Sequence, residues 1–511
     1  MCAALAGRTI FPDKHNLCRA TRAMTPAIST TALHPRPTRV RYGVLAALCL
    51  VATIAYVQRN SISVAEKTIR AELGLSREQM GQVMSAFMLA YALGQLPSGW
   101  LAHIWGTRWA LALFALVWSV LAGLLALAVT FAALLVVRFG MGAAQAGVFP
   151  CATSSIARWF PATRRGLASG ALGSFMSVGS ALGALWTGDL LPLIGWQWLF
   201  ALYALPGIVW AVWFFVWFRD SPAEHRSVND AELAVIRGAA AKVEPLAKDR
   251  APTPWRALLT SAAMWLICAQ QFFRAAAYMF FASWFPTYLQ EARGLTLVQA
   301  AWMTSLPFWG VVVGGFTGGA ISDWILTHTG SRRLSRQGLA IVSMIAAATF
   351  TLLTFAVTHP ALLAVLFTAS AFSAALAAPC GYIITIDMGG KHVTTVFSLM
   401  NMAGNLGAML FPLVIPYLIL DRPDWVSPTI ATSTLGYLGV PGEGPMLAFP
   451  GLIAGRLWNW DAVILTLAGI YFAAAVCWAL LNPNGTVFER VKDSEAKLAC
   501  RDTSSEQPSP P

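Results

Sequence analysis

A chain of 511 residues in which 57% are hydrophobic and only 11% charged falls far below the charge content of soluble proteins, about 25%. That excludes a soluble globular domain and makes the bilayer the solvent to reason with. The formal net charge of +12 does not imply a nucleic-acid partner, because the arginines lie in alternate loops rather than in one basic domain.

Residues 1–40 hold basic residues and prolines without a continuous apolar core, and read as a cytoplasmic tail rather than a cleaved signal. Beyond them the chain repeats mostly apolar stretches of roughly 20 residues, about twelve in all. They start near Tyr42, Met80, Trp109, Ala132, Gly166, Gln197, Ala262, Ala301, Gly338, Ala361, Thr394 and Asp461. The predicted fold is all-α, with twelve transmembrane helices in two six-helix bundles, 41–218 and 257–483. Between the bundles lies a charged linker, 219–256, with one short amphipathic helix expected around Asp230 to Ala241. The loop 421–460 is long, nearly neutral and rich in Pro, Gly and Thr, and a tail, 484–511, closes the chain.

Positive charge gathers in one set of loops: Arg36, Arg39 and Arg41 before span 1, Arg158, Arg164 and Arg165 between spans 4 and 5, Arg332, Arg333 and Arg336 between 8 and 9, and Lys391 between 10 and 11. The opposite set is nearly balanced, as in Glu66, Lys67, Arg70, Glu72, Arg77 and Glu78. The positive-inside rule then places both termini in the cytoplasm of a cell whose inner (plasma) membrane the chain crosses many times. The cysteines are scattered and read as small buried apolar residues; no metal spacing, disulfide framework or cofactor is expected.

The stretch Tyr56-Val57-Gln58-Arg59-Asn60-Ser61-Ile62-Ser63 ends the first span and puts an arginine at membrane depth, which costs a few kcal/mol unless it faces a bundle interior or a watery cavity. On a helix, Tyr56 and Ser63 share the face of Arg59, so a phenol, a cation and a hydroxyl converge as a wall suited to a carboxylate. The halves also echo one another: Gly99-Trp100-Leu101-Ala102-His103 with Gly319-Ala320-Ile321-Ser322-Asp323, and Leu182-Gly183-Ala184 with Leu406-Gly407-Ala408. Parallel six-helix repeats of this kind place a substrate site between the halves near the midplane.

Gly99-Trp100-Leu101-Ala102-His103-Ile104-Trp105-Gly106-Thr107-Arg108 resembles the signature between helices 2 and 3 of the major facilitator superfamily. Arg59-Asn60-Ser61-Ile62-Ser63, Arg138-Phe139-Gly140-Met141-Gly142, Gly147-Val148-Phe149-Pro150, Ser283-Trp284-Phe285-Pro286 and Asn401-Met402-Ala403-Gly404-Asn405 resemble one branch of it, the anion:cation symporter family, over about residues 40 to 485. The resemblance implies a secondary transporter of organic anions such as sugar acids and hexuronates, working by alternating access. It departs from the family at Gln58 and Gln145, where many proton-coupled members carry acids, and at His103, where an aspartate is usual. The route for a co-transported H+ through those acids is therefore absent here, which leaves relocated coupling, Na+, exchange or facilitation.

Arg138 lies at a depth comparable to Arg59, and either faces the same cavity or locks helices together. Gln145 sits two turns along from it. In span 7, Gln270, Arg274 and Tyr278 share a face, and the vesicular glutamate branch also has an arginine in that span. Tyr382 stands where sugar-acid relatives often have a tryptophan, as ligand or as core, and Asn401 and Asn405 offer amides to substrate hydroxyls. Gln58, His103, Arg108, Asp323 and Asp387 are the candidates for coupling or gating, with Asp189 as a further titratable group and loop anchoring as the plainer role for His103. The spans hold no paired acids, histidine cluster or nucleophile–base set, so an enzyme is not expected. The expected partners are a small organic anion and the lipid bilayer, the expected state is a monomer, and the rival function is a membrane sensor that kept the fold without transport.

Overall fold

In hydrocarbon every backbone polar group must be bonded within the chain, and the helix does this locally. The computed structural model describes residues 36–161, 164–237, 255–389, 393–419 and 460–482, and these form fifteen α-helices with no extended strand among the described residues. Residues 1–35 of the first tail, the closing tail, residues 421–459 of the long loop, Lys391 and the later part of the linker, including the end of its expected helix, lie outside the described residues.

The first bundle runs from α1 (Val40–Leu73) through α2 (Arg77–Leu124), α3 (Phe131–Gln145) and α4 (Val148–Trp159) to α5 (Arg165–Trp217). The linker contributes α6 (Asp230–Arg237). The second bundle comprises α7 (Trp255–Thr260), α8 (Ala262–Ser283), α9 (Phe285–Glu291), α10 (Leu297–Thr329), α11 (Leu339–Leu353), α12 (Pro360–Leu376), α13 (Ala378–Gly389), α14 (Val393–Leu418) and α15 (Asp461–Leu480). Nine helical stretches among the described residues are long and apolar enough to cross a membrane by length and composition. A straight helix of 48 residues, the length of α2, would run about 72 Å, more than twice the hydrocarbon thickness. It turns instead at Gly106, and α5 turns at Gly195, each at a positive φ (79° and 73°) that suits glycine. Beside these nine, the first part of α2 and the 22-residue α8 are also helical, and α5 divides in two at Gly195.

Several quoted motifs mark breaks inside passes. Span 4 divides into α3 and α4 before Pro150, span 7 into α8 and α9 before Pro286, and span 10 into α12 and α13 before Pro379. Proline removes a donor and crowds the preceding turn, so a helix bends or breaks there. At Gly147 a Cβ would come within 2.2 Å of the Phe114 ring, so the α3–α4 break is also a close crossing.

The internal repeat extends to capping and packing. The α2 and α10 helices both open with a reciprocal capping box, Ser76 with Gln79 and Thr296 with Gln299. Gly183 approaches Val57 of α1, and its counterpart Gly407 approaches the Phe272 carbonyl of α8; an added Cβ would lie 3.1 and 2.2 Å from backbone there. Small residues let helices close in where lipid offers no hydrophobic drive. Leu127, Val136 and Val209 are exposed, as side chains facing lipid are.

The end of the molecule where α1 begins is called the linker face, because Glu232 of α6 accepts from the amides of Val40 and Arg41 at 3.0 and 3.1 Å and so caps α1. Toward the opposite face the bundles pack closely, α1 on α9, α2 on α14 and α5 on α10. Ser85 donates to the Met409 carbonyl at 2.9 Å, and Trp302 donates to Asp189 at 3.2 Å.

Candidate functional site

Arg59 is held on α1 with its guanidinium carbon 5.0 Å from the ring centres of Tyr56, Phe87 and Tyr91 alike. One of its nitrogens lies 2.9 Å from the Met88 sulfur, and only 8% of the residue is exposed. Arg138 of α3 approaches the same Phe87 ring at 4.5 Å and donates to the Arg59 carbonyl at 3.3 Å. Two cations therefore share one aromatic ring. Ring quadrupoles offset part of their charge, about 0.5–2 kcal/mol each, but supply no counter-ion. No ion pair among the described residues involves Arg59, Arg138 or Arg274.

Ser63 does not join Arg59, because its hydroxyl donates to the Asn60 carbonyl of its own helix at 2.7 Å. Asn60, one residue past the arginine, instead donates to Ser180 of α5 at 2.8 Å, and Ser180 lies 3.4 Å from the hydroxyl of Tyr278 on α8. This chain of polar contacts crosses from one bundle to the other beside the caged arginine. On α8, Arg274 turns both Nε and a terminal nitrogen toward the Gln271 side-chain oxygen, at 3.2 and 3.0 Å. Gln270 points elsewhere, donating to Ile267 within its own helix and lying beside Gly381.

On α14, Asn401 donates to Gln95 of α2 at 3.1 Å, again across the bundles, while the buried Nδ2 of Asn405 has no hydrogen-bond acceptor among the described residues. Tyr382 packs against Phe397, 5.7 Å between ring centres, and is 43% exposed. The amide nitrogens of Gln145 and Gln58 both join helices, while the buried Oε1 of Gln58 has no partner among the described residues. Gln145 donates to the Ala55 carbonyl at 3.1 Å, and Gln58 donates to the Tyr203 carbonyl at 2.6 Å and to Ser119 at 3.4 Å. Gln58 thus points into the first bundle, on another side of α1 from its neighbour Arg59.

At the linker face, Asp220 accepts from the amides of Thr107 and Arg108 at 2.7 and 3.2 Å and pairs with Arg158 at 3.6 Å. A Cβ on Gly106 would come within 2.6 Å of that carboxylate. The Arg108 side chain donates to the Phe215 carbonyl at 2.7 Å. In the second bundle the buried Arg336 stands between Asp323 and Asp387, at 3.7 and 3.9 Å, and bonds Ser322. Asp220 and Arg336 act as the hubs of these two networks; the loop charges mark them only as basic or acidic residues in a polar break. The side chain of His103 lies outside the described residues.

The sequence matches the pattern of the Major Facilitator Superfamily over residues 48–335. The chain belongs to the major facilitator superfamily. It is similar to a probable sulfoacetate transporter of Cupriavidus necator, 34% identical over 79% of this chain and 92% of that one. It is also similar to a probable galactarate/D-glucarate transporter of Bacillus subtilis, at 29% identity over 75% and 87%, and to a D-galactonate transporter of Escherichia coli, at 29% over 75% and 90%. Among solved structures, a bacterial homologue of the human lysosomal transporter Spinster, inward-facing and unoccupied, superposes with a TM-score of 0.60 at 19% identity, over 87% of this chain and 95% of that one. A D-xylose–proton symporter gives 0.62 at 14% identity, over 86% and 97%. These relatives place this facilitator in the organic-anion branch: an integral membrane transporter, not an enzyme.

Proposed function

We propose that this facilitator carries a small organic acid bearing two anionic heads, one met by Arg59 of the first bundle and the other by Arg274 of the second. The observation that carries the reading is the caged Arg59, a buried cation with three aromatic neighbours and no carboxylate partner among the described residues. A carboxylate or sulfonate held by forked hydrogen bonds would supply the missing charge, and planar guanidinium suits that geometry. Sulfoacetate and galactarate, named for two of the relatives, are both dianions at neutral pH. The unpartnered Nδ2 of Asn405 and the hydroxyl of Tyr278 suit the hydroxyls between the heads of a sugar diacid such as galactarate.

Transport proceeds by alternating access, each bundle moving as a unit about the site. The linker face is cytoplasmic in this reading, because Arg158, Arg164, Arg165, Arg332, Arg333 and Arg336 gather there, which sets both termini inside the inner membrane of a bacterial cell. The chain folds as two six-helix domains joined by the linker and works as a monomer. With glutamines at 58 and 145, the acid-based proton route of relatives is not available.

Purified protein in liposomes would take up labelled sulfoacetate, galactarate and D-galactonate to different extents, the dianions competing with one another and a neutral sugar failing to compete. Saturable binding of a dianion without any uptake would instead identify a sensor. Equal transport of dianion and neutral sugar would overturn the two-headed reading.

A further inference from the structure

The mechanism above does not use the polar cluster at the face opposite the linker. There α1 supplies Glu66 and Arg70, α2 supplies Arg77, and α9 of the second bundle supplies Thr287 and Glu291. Arg70 Nε lies 2.8 Å from Glu66, while another Arg70 nitrogen bonds Glu291. Arg77 pairs with the second oxygen of Glu291 at 3.3 Å, and Thr287 donates to the second oxygen of Glu66 at 2.7 Å. Glu66 and Thr287 are both fully buried. Both oxygens of Glu66 and both oxygens of Glu291 have a partner. Three of these contacts cross from one bundle to the other.

The α9 helix belongs firmly to the second bundle. Phe285 and Tyr288 lie 5.0 and 5.9 Å from the Phe367 ring of α12. Any motion that opens a path at this face must therefore pull α9 from α1 and break the cluster. We propose that Glu66, Arg70, Thr287 and Glu291 are the latch that closes this end of the transport path, with Glu66 as its central residue.

A buried ion pair adds little net stability, because desolvation offsets attraction, yet removing one partner leaves the other charge buried and uncompensated. In the closed state Glu66→Gln would take from Arg70 one of its two carboxylates and leave it Glu291, which Arg77 also engages. Water makes up for the lost countercharge only when the face opens, so the balance shifts toward opening. Thr287→Val keeps the volume and removes a donor from a buried carboxylate, which shifts the balance the same way by less.

The test places Val64→Cys in an otherwise cysteine-free chain. Val64 is buried in a cross-bundle cluster with Ala184 of α5 and Ala301 of α10, two residues from Glu66. Labelling by a membrane-impermeant maleimide from that side should quicken about tenfold in Glu66→Gln and about threefold in Thr287→Val. The double variant should fall short of the product, since both changes act on the same Thr287–Glu66 contact. Glu232→Gln breaks a buried pair at the other end and should leave the rate unchanged. Unchanged labelling in both latch variants, or an equal rise in Glu232→Gln, would overturn the proposal. The inference rests on alternating access but not on the cargo, so failure of the dianion reading leaves this readout intact.

Discussion

Gln145 on α3 donates its amide to the carbonyl of Ala55 on α1 at 3.1 Å. A protonated glutamic acid could make the same bond, and a carboxylate could not, because the carbonyl has no hydrogen to give. The native amide makes it at every pH, so uptake should change little when a pH gradient is imposed at clamped membrane potential. In Gln145→Glu the α1–α3 contact should depend on the proton, and uptake should become gradient-sensitive. Strong proton-driven accumulation by the unmodified protein would sink this argument and direct attention to Asp387, Asp189 or His103.

Arg59→Gln should reduce uptake about a hundredfold or more with the protein still folded, because two charge-assisted bonds, together roughly 3 kcal/mol, are lost. Arg59→Lys should recover little, since an ammonium lacks the fork and stacks less well within the Tyr56, Phe87 and Tyr91 cage. Uptake by either variant at the native rate would remove Arg59 from the site.

The repeat predicts an order of stabilities. Gly407→Ala meets a backbone carbonyl at 2.2 Å and should cost about 1–3 kcal/mol, seen as a lower melting temperature in detergent. Gly183→Ala meets its neighbours at 3.1 Å or more and should cost less. The reverse order would show that the closeness of the backbone approach does not set the cost at these crossings.

Orientation is open to direct labelling. A cysteine replacing Gly74, at the turn after α1, should react with an impermeant reagent on intact cells. One replacing Ser227, exposed at the linker face, should react only after the membrane is opened. Ser227 labelling on intact cells would invert the topology drawn from the loop charges.

Arg59 could be read from sequence because a lone guanidinium in an apolar run is costly wherever its helix packs. Its partners could not. The i, i+4 spacing puts Ser63 on the right face, but the hydroxyl bonds its own helix, a rotamer choice that spacing does not set. Gln58 is adjacent in sequence and turned into another helix contact. Glu66 reads as one charge in a balanced loop because a span of about 20 residues from Tyr42 would end before it. The helix runs on to Leu73, sustained by Thr287 and Glu291 more than 200 positions away, and pairing at that distance leaves no local trace.

Docking of the linker on the first bundle should depend on pH. His225 stands edge-on to Trp159 and Trp217, at 5.6 and 5.2 Å, with Nδ1 accepting from the Ser227 amide at 3.3 Å and Nε2 buried without a partner. Burial lowers its pKa below the usual 6.5, Arg219 adds to the effect, and Glu232 opposes it. For Glu232, burial pushes the pKa upward, but the Thr38 hydroxyl, the amides of Arg41 and Val40 and the Arg41 charge together carry it below its ordinary 4.5. Both groups are depressed in the folded state, so each contributes stability above its unfolded pKa that is lost as pH falls toward the folded value. Docking of α6 should therefore weaken in two steps, the first below about pH 6.5 through His225 and the second below about pH 4.5 through Glu232. Hydrogen exchange at the amides of α6, corrected for intrinsic rates, should speed up between pH 7.5 and 5.5. His225→Phe should abolish that first step while leaving the second, and Glu232→Gln should raise exchange at every pH above 4.5. Exchange in the unmodified protein that is equal at pH 7.5 and 5.5 would show that the histidine does not govern the docking.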